Sequence, residues 1–124
     1  MNFTATANVI NGVTVVTLNN FTGPETQFGS LRDGRYTLTA LASQISANGQ
    51  QMASNYTFGD AQGLIRFFGD MNGDRRIDIS DFGFFSLAYF SSPNYNAALD
   101  FNGHGLIDVT DFGQFSVRFF TNLP

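Results

Sequence analysis

The chain of 124 residues has no cysteine, no tryptophan and no lysine, and only one histidine. The absence of cysteine excludes disulfides, thiolate metal sites and thiol nucleophiles. The absence of lysine leaves six arginines as the only permanent side-chain cations, so there is no basic face of the kind nucleic acid needs. No apolar run approaches the length of a membrane-spanning helix, and Met1-Asn2-Phe3 does not open a signal peptide. With tryptophan missing, the aromatic content falls to 15 phenylalanines and 4 tyrosines, and phenylalanine becomes the main core-building residue.

Charge is placed unevenly. Residues 1–69 carry Glu25, Asp33 and Asp60 against Arg32, Arg35 and Arg66, a balance of zero. Residues 70–124 carry seven aspartates against Arg75, Arg76 and Arg118, a balance of −4. Carboxylates this concentrated suit a divalent cation. A chain of this length holds one domain or two small ones. Secretion is compatible with the lack of disulfides, because Ca²⁺ can take their place as the staple of a small domain. The chain reads as a cut-out or tail of a longer one, secreted or at the cell surface.

Residues 3–18 read as a β-hairpin, with alternation over 3–7, a two-residue turn at Asn11-Gly12 and a β-branched run over 13–18. Residues 35–42 alternate again, Asn48-Gly49 marks a further turn, and residues 51–58 suit a last strand. Four short strands of one antiparallel sheet, an Ig-like or partial sandwich, are expected over residues 1–62. Asp33-Gly34-Arg35-Tyr36-Thr37-Leu38 resembles the start of a late strand in immunoglobulin-like sandwiches, where a tyrosine bonds back across the corner. A tyrosine simply packed on the sheet fits equally well. A boundary is expected at residues 59–63, with a second domain over 63–124. The fold class expected is α+β.

That second part contains one pattern twice. Asp70-Met71-Asn72-Gly73-Asp74-Arg75-Arg76-Ile77-Asp78-Ile79-Ser80-Asp81 is followed thirty residues later by Asp100-Phe101-Asn102-Gly103-His104-Gly105-Leu106-Ile107-Asp108-Val109-Thr110-Asp111. Aspartate recurs at loop positions 1, 9 and 12, asparagine at 3, glycine at 4 and isoleucine at 8. The repeat runs on through Phe82/Phe112, Gly83/Gly113, Phe85/Phe115, Ser86/Ser116 and Phe90/Phe120. Oxygen side chains at 1, 3, 5, 9 and 12 with a carbonyl at 7 are how a twelve-residue loop wraps Ca²⁺.

The first loop thus offers Asp70, Asn72, Asp74, Asp78 and Asp81, with Arg76 giving its carbonyl. Position 6, which calls for positive φ, is Arg75, and Arg75 and Arg76 offset part of the negative charge. The second loop has glycine at position 6, Gly105, but His104 at position 5. It offers Asp100, Asn102, Asp108, Asp111 and the Leu106 carbonyl. An imidazole is a poor Ca²⁺ ligand, so water is expected in the place of His104, and the first loop is expected to bind more tightly. A zinc role for the lone histidine is the less favoured reading. Two Ca²⁺ ions are expected. Asx-type turns without an ion are the bland alternative.

Each loop leads into a helix. Phe82, Phe85 and Tyr89 fall at i, i+3 and i+7, as do Phe112, Phe115 and Phe119, so each trio shares a helical face and the two trios are expected to meet. Ser80 and Thr110, beside Asp81 and Asp111, suit helix starts. Gly83 and Gly113 suggest close packing near the loops. Ile77 and Ile107 are expected to pair with each other across a short bridge.

Residues 68–120 resemble a dockerin. The motif is Asp-x-Asn-x-Asp-x-x-Ile-Asp-x-x-Asp-Phe in the first copy, with His at the third ligand in the second. The longer string, with Leu-Arg-Asp-Gly-Arg-Tyr-Thr-Leu-Thr upstream and Asp-Phe-Gly-Gln-Phe-Ser-Val-Arg-Phe-Phe at the end, is similar to C-terminal tails of large secreted planctomycete-type proteins. The resemblance implies two loop–helix units related by a pseudo-twofold axis and a cohesin-like protein partner. It places partner contacts at positions 10, 11, 17 and 18 of each copy. These are Ile79, Ser80, Ser86 and Leu87, and Val109, Thr110, Ser116 and Val117. The basic residues common at the last two positions are missing.

The function expected is therefore a non-catalytic, calcium-binding module for protein–protein attachment. A calcium-stabilised structural cap or C-terminal sorting domain is the alternative. Exposure of the outer helix faces favours docking, and their burial against residues 3–58 favours capping. No enzyme, small-molecule substrate, nucleic-acid partner or membrane insertion is expected. The acids of residues 70–111 belong to the loops, and only Glu25, Asp33 and Asp60 remain.

Overall fold

A computed structural model describes residues 1–123. The chain is α+β, with small antiparallel strand pairs and two helices. Its contacts form two compact units, Met1–Arg32 together with Phe67–Pro124, and Asp33–Arg66. This grouping differs from a division at residue 62, because the N-terminal hairpins share a unit with the two loops.

In the first unit, strands β1 (Asn2–Ile10) and β2 (Val13–Thr22) form the expected hairpin, longer than the alternation alone suggests. Asn11 and Gly12 both take positive φ, 51° and 77°, the turn whose twist matches a two-stranded ribbon. A second, shorter hairpin pairs β3 (Thr26–Gln27) with β4 (Ser30–Leu31). Phe3 packs on Phe21 at the open end of the first hairpin, and Phe28 at the second turn packs edge-on to Phe101.

The second unit holds three further ladders. Strand β5 (Gly34–Arg35) pairs with β10 (Ile65–Arg66), and β6 (Leu38–Ala40) with β9 (Tyr56–Phe58). Strand β7 (Ser46–Ala47) pairs with β8 (Gln50–Gln51) around Asn48-Gly49. An Arg35–Asp60 ion pair at 2.7 Å lies in this unit, and Tyr36 is half-buried beside Gly34.

The expectation of one four-stranded sheet over residues 1–62 is corrected: among the described residues the strands form five separate two-stranded ladders, one of them with β10 beyond residue 62. The physical reason is burial. None of the strand residues in these ladders is fully buried, so no sheet face is covered in the way a sandwich needs.

The core lies elsewhere. Among the described residues, Phe67, Phe68, Ile77, Phe85, Ala88, Leu99, Ile107, Phe115 and Leu123 are the buried apolar ones, all within residues 67–123. Helices α1 (Ile79–Ala88) and α2 (Val109–Ser116) are too short to stand alone and depend on this packing. Their aromatic faces meet as the spacing predicts. Phe85 and Phe115 stack at 4.8 Å, Phe82 touches Phe115 and Phe119, and Tyr89 and Phe85 touch Phe112. Every one of these contacts has its counterpart when residue numbers are exchanged by thirty, so the two loop–helix units are equivalent in their packing.

Three local expectations are corrected. The helices begin at Ile79 and Val109, not at Ser80 and Thr110. Asp78 and Asp108 are the N-caps, and they form capping boxes with Asp81 and Asp111. Ile77 does not pair with Ile107. Ile77 bonds to Phe120 and Thr121, and Ile107 accepts from the amide of Phe90, so each loop is tied to the segment after the other helix. Phe90 and Phe120 make this geometry by turning the chain with φ of 50° and 59°.

Nor do Gly83 and Gly113 mark close packing, since nothing lies within 4 Å of a Cβ built on either. The crowded glycine is Gly69. It has φ +96°, and a Cβ there would stand 2.8 Å from Cδ2 of Phe115. Gly69→Ala is therefore expected to destabilise the fold by about 2–4 kcal/mol, from left-handed strain together with overpacking. Urea unfolding of the variant checks this, and an unchanged midpoint would refute it.

Candidate metal centres

Both loops curl around their first aspartate in the same way. Asp70 accepts hydrogen bonds from the amides of Gly73 (2.8 Å) and Arg75 (2.9 Å). Asp100 accepts from Gly103 (2.8 Å), His104 (3.2 Å) and Gly105 (2.7 Å). The bend needs a left-handed residue at position 6. Gly105 has φ 91°, and Arg75 takes φ 70° despite its side chain. Left-handed geometry costs a non-glycine residue about 1–2 kcal/mol, and the two amide bonds to Asp70 help offset it.

The position-12 carboxylates close the loops from behind. Asp81 and Asp111 are both fully buried. Asp81 accepts from the amides of Met71 (2.8 Å) and Asp78 (2.9 Å), and Asp111 from Phe101 (2.7 Å) and Asp108 (2.9 Å). Neither is paired with a cationic side chain among the described residues. Each loop thus holds one buried carboxylate with spare oxygen lone pairs, the kind of donor a hard cation takes.

The remaining predicted ligands divide by loop. In the first, Asn72 accepts from the Asp74 amide and donates to Asp74 Oδ2, while Asp74 Oδ1 accepts from Arg76. Asp78 Oδ1 caps α1, and its Oδ2 lies 3.7 Å from Arg76 Nε. Arg76 also bridges to Asn122. In the second, Asp100, His104 and Asp111 each place one ligand atom within 4.8 Å of the others, the one such trio among the described residues. His104 Nδ1 touches Asn102 Oδ1 and lies 3.4 Å from Asp100, while Nε2 lies 3.4 Å from Asp108 Oδ2. Asp108 Oδ1 caps α2, and Leu106 sits at the exposed rim.

Sequence reasoning missed Tyr95. Its hydroxyl donates to Asp100 Oδ2 at 2.8 Å and steadies that carboxylate from outside the loop. It also missed Arg118, whose guanidinium lies over the rings of Phe68 and Phe101 behind the loops. Neither belongs to the twelve-residue pattern, so the loop spacing gives no signal for them.

The two first-position aspartates titrate in opposite directions. Burial pushes the Asp70 carboxyl up, with the Asp81 and Asp74 charges adding to it and the amides of Arg75 and Gly73 opposing. Burial also works against Asp100, but hydrogen bonds from Gly105, Tyr95, Gly103 and His104 together hold it below the ordinary value. Asp108 is lowered mainly by the Thr110 amide.

A raised carboxyl destabilises once ionised, so the metal-free first loop is expected to gain stability as pH falls through the raised value towards 3.8. Lowered carboxyls stabilise above 3.8, and that stability is lost as pH falls through their folded values, so the second loop is expected to loosen. Amide exchange at Gly73 and Arg75 against Gly103 and Gly105, followed downward from about pH 5 in chelator, reads this difference. Parallel behaviour of the two loops would refute it.

The eight expected partner-contact positions are all exposed: Ile79, Ser80, Ser86 and Leu87 on the first unit, and Val109, Thr110, Ser116 and Val117 on the second. Between the helices an apolar groove of about 220 Å³ is lined by Ile79, Phe82, Phe112, Phe115, Ser116 and Phe119. Among the described residues no helix is long and apolar enough to cross a membrane. No family model, curated protein or solved structure matches the chain.

Proposed function

We propose that residues 67–123 form a dockerin-like, non-catalytic cation-binding module that attaches a secreted or cell-surface protein to a cohesin-like protein partner. The observation that carries this reading is the doubled loop–helix unit. Each copy has a first-position aspartate wrapped by its own loop amides, and a buried position-12 carboxylate whose charge is not neutralised by a side chain. Ca²⁺ is the ion of the first loop, whose side-chain donors are all oxygen.

Exposure of the outer faces supports docking over capping. Ile79, Leu87, Val109 and Val117 are each more than 60% exposed although apolar, which is the surface a protein partner would cover. Equivalent packing of the two units gives two equivalent faces, so a partner can seat in either orientation.

The test uses the full chain against immobilised cohesin modules, with Ca²⁺ and with chelator. Binding is expected in Ca²⁺ and lost in chelator. Leu87→Asp or Val117→Asp alone is expected to leave binding largely intact, and the two together to abolish it. Absence of calcium-dependent binding across the cohesin panel would overturn the partner, and full binding by the double variant would overturn the surface.

A further inference from the structure

We infer that the second loop takes a first-row transition-metal dication through His104, and is not a second calcium site. The inference rests on the reading of the loops as cation sites and concerns which ion each one selects.

Position 5 is where the two loops part. The first loop has Asp74 there, an oxygen donor, and the second has an imidazole. Oxygen-only sets suit Ca²⁺ and Mg²⁺, whereas imidazole suits zinc, copper, iron and nickel. The second loop also carries three carboxylates where the first carries four, and calcium affinity follows ligand charge.

The geometry is that of a ligand. His104 Nδ1 touches Asn102 Oδ1 and lies 3.4 Å from Asp100 Oδ1, and a ring nitrogen, Asp100 and Asp111 gather within 4.8 Å. Two donors sharing an ion at about 2.0–2.2 Å stand about 3.0–3.5 Å apart. The other ring nitrogen faces a different carboxylate, with Nε2 at 3.4 Å from Asp108 Oδ2. Metal-bound histidines typically turn their second nitrogen to a carboxylate in this way, which orients the ring, and the Nδ1 proton that faces Asn102 Oδ1 in the metal-free chain is the one the ion displaces.

Asp100 is likewise steadied from behind by Tyr95 at 2.8 Å, and Asp111 by the amides of Phe101 and Asp108. The histidine side chain is 39% exposed, so an ion reaches it from solvent. The first loop brings no comparable trio together among the described residues.

Calorimetric titration of the chelator-stripped full chain with CaCl₂ and then ZnCl₂ tests this, with the visible spectrum of added Co²⁺ and the His104 ring NMR signals as second readouts. The wild type is expected to take up one Ca²⁺ and then one Zn²⁺, with the His104 ring signals moving only on Zn²⁺. His104→Asp restores the oxygen donor of the first loop at an exposed position, so it should fold. It is expected to take up two Ca²⁺ and to lose Zn²⁺ affinity by about tenfold or more.

Two Ca²⁺ with no Zn²⁺ uptake by the wild type would overturn the inference and leave the calcium reading of the first loop standing. Zn²⁺ uptake unaltered by His104→Asp would overturn it as well, by placing the ion elsewhere. Zn²⁺ uptake at His104 with no Ca²⁺ uptake would support the inference and sink the calcium reading.

Discussion

Chelating divalent cations is expected to lower the melting temperature of the full chain and to speed amide exchange selectively in residues 67–123. Seven aspartates lie within the two loops, and two of them, Asp81 and Asp111, are fully buried. Without an ion, burial pushes Asp70 towards its neutral form, and the Asp81 and Asp74 charges add to it. A cation removes that repulsion and occupies oxygens that the unfolded chain does not gather, so its binding free energy becomes folding free energy. An ion at 100 times its dissociation constant adds about 2.7 kcal/mol. For a small domain that corresponds to a shift of roughly 10–20 °C. Amides of Met71, Gly73, Phe101 and Gly103 should lose protection first, because their acceptors are the loop carboxylates. Unchanged melting and exchange in chelator would rule out an ion as part of the fold.

Phe85→Ala is expected to unfold residues 67–123, with or without Ca²⁺. Phe85 is 1% exposed and lies against the rings of Tyr89, Phe112 and Phe115. Deleting a buried phenylalanine costs about 3–5 kcal/mol. Total stabilities run at about 5–15 kcal/mol, and a region this small belongs near the low end. Neighbouring Phe84 is 50% exposed, so Phe84→Ala should change stability by no more than about 0.5 kcal/mol. Far-UV circular dichroism in urea compares the two. A smaller loss for Phe85→Ala than for Phe84→Ala would overturn the assignment of the core.

The contrast between Phe84 and Phe85 shows what local pattern carries. Helical period placed Phe82, Phe85, Phe112 and Phe115 on the faces that meet and left Phe84 off them, because one face of a helix is a property of spacing alone, but the packing buries only Phe85 and Phe115 and leaves Phe82 and Phe112 lining the open groove. The loops are legible for the same reason. Their shape follows from short-range bonds between a side chain and amides three to five residues on, so Asp70 and Asp100 determine the bend wherever the loop occurs. Even the left-handed turn at Arg75 follows from its position in the pattern. The residue types at positions 1, 3, 5, 9 and 12 likewise give the candidate cation sites directly.

Other features depend on partners distant in the chain. Strand-like alternation over residues 35–42 and 51–58 gave no continuous strands but β6 and β9, three residues each, with Arg35 and Gln51 ending β5 and β8, because alternation does not supply a covered face. Isoleucine at position 8 announces a buried bridge but not its partner. Tertiary structure joined Ile77 to Phe120 and Thr121, and Ile107 to Phe90, once each chain segment had turned back beyond its helix.

Cap choice, by contrast, was settled within the loop itself. Ser80 and Thr110 are good caps by residue type, yet Asp78 and Asp108 serve, because the buried Asp81 and Asp111 reach back to their amides. The sequence by itself thus determined the repeated loops, the aromatic helix faces and the donor atoms available to a cation. Only the tertiary structure decided which loop meets which helix end and how the rings of α1 seat against those of α2. The first set rests on interactions within a few residues, and the second on contacts that exist only after distant segments have packed.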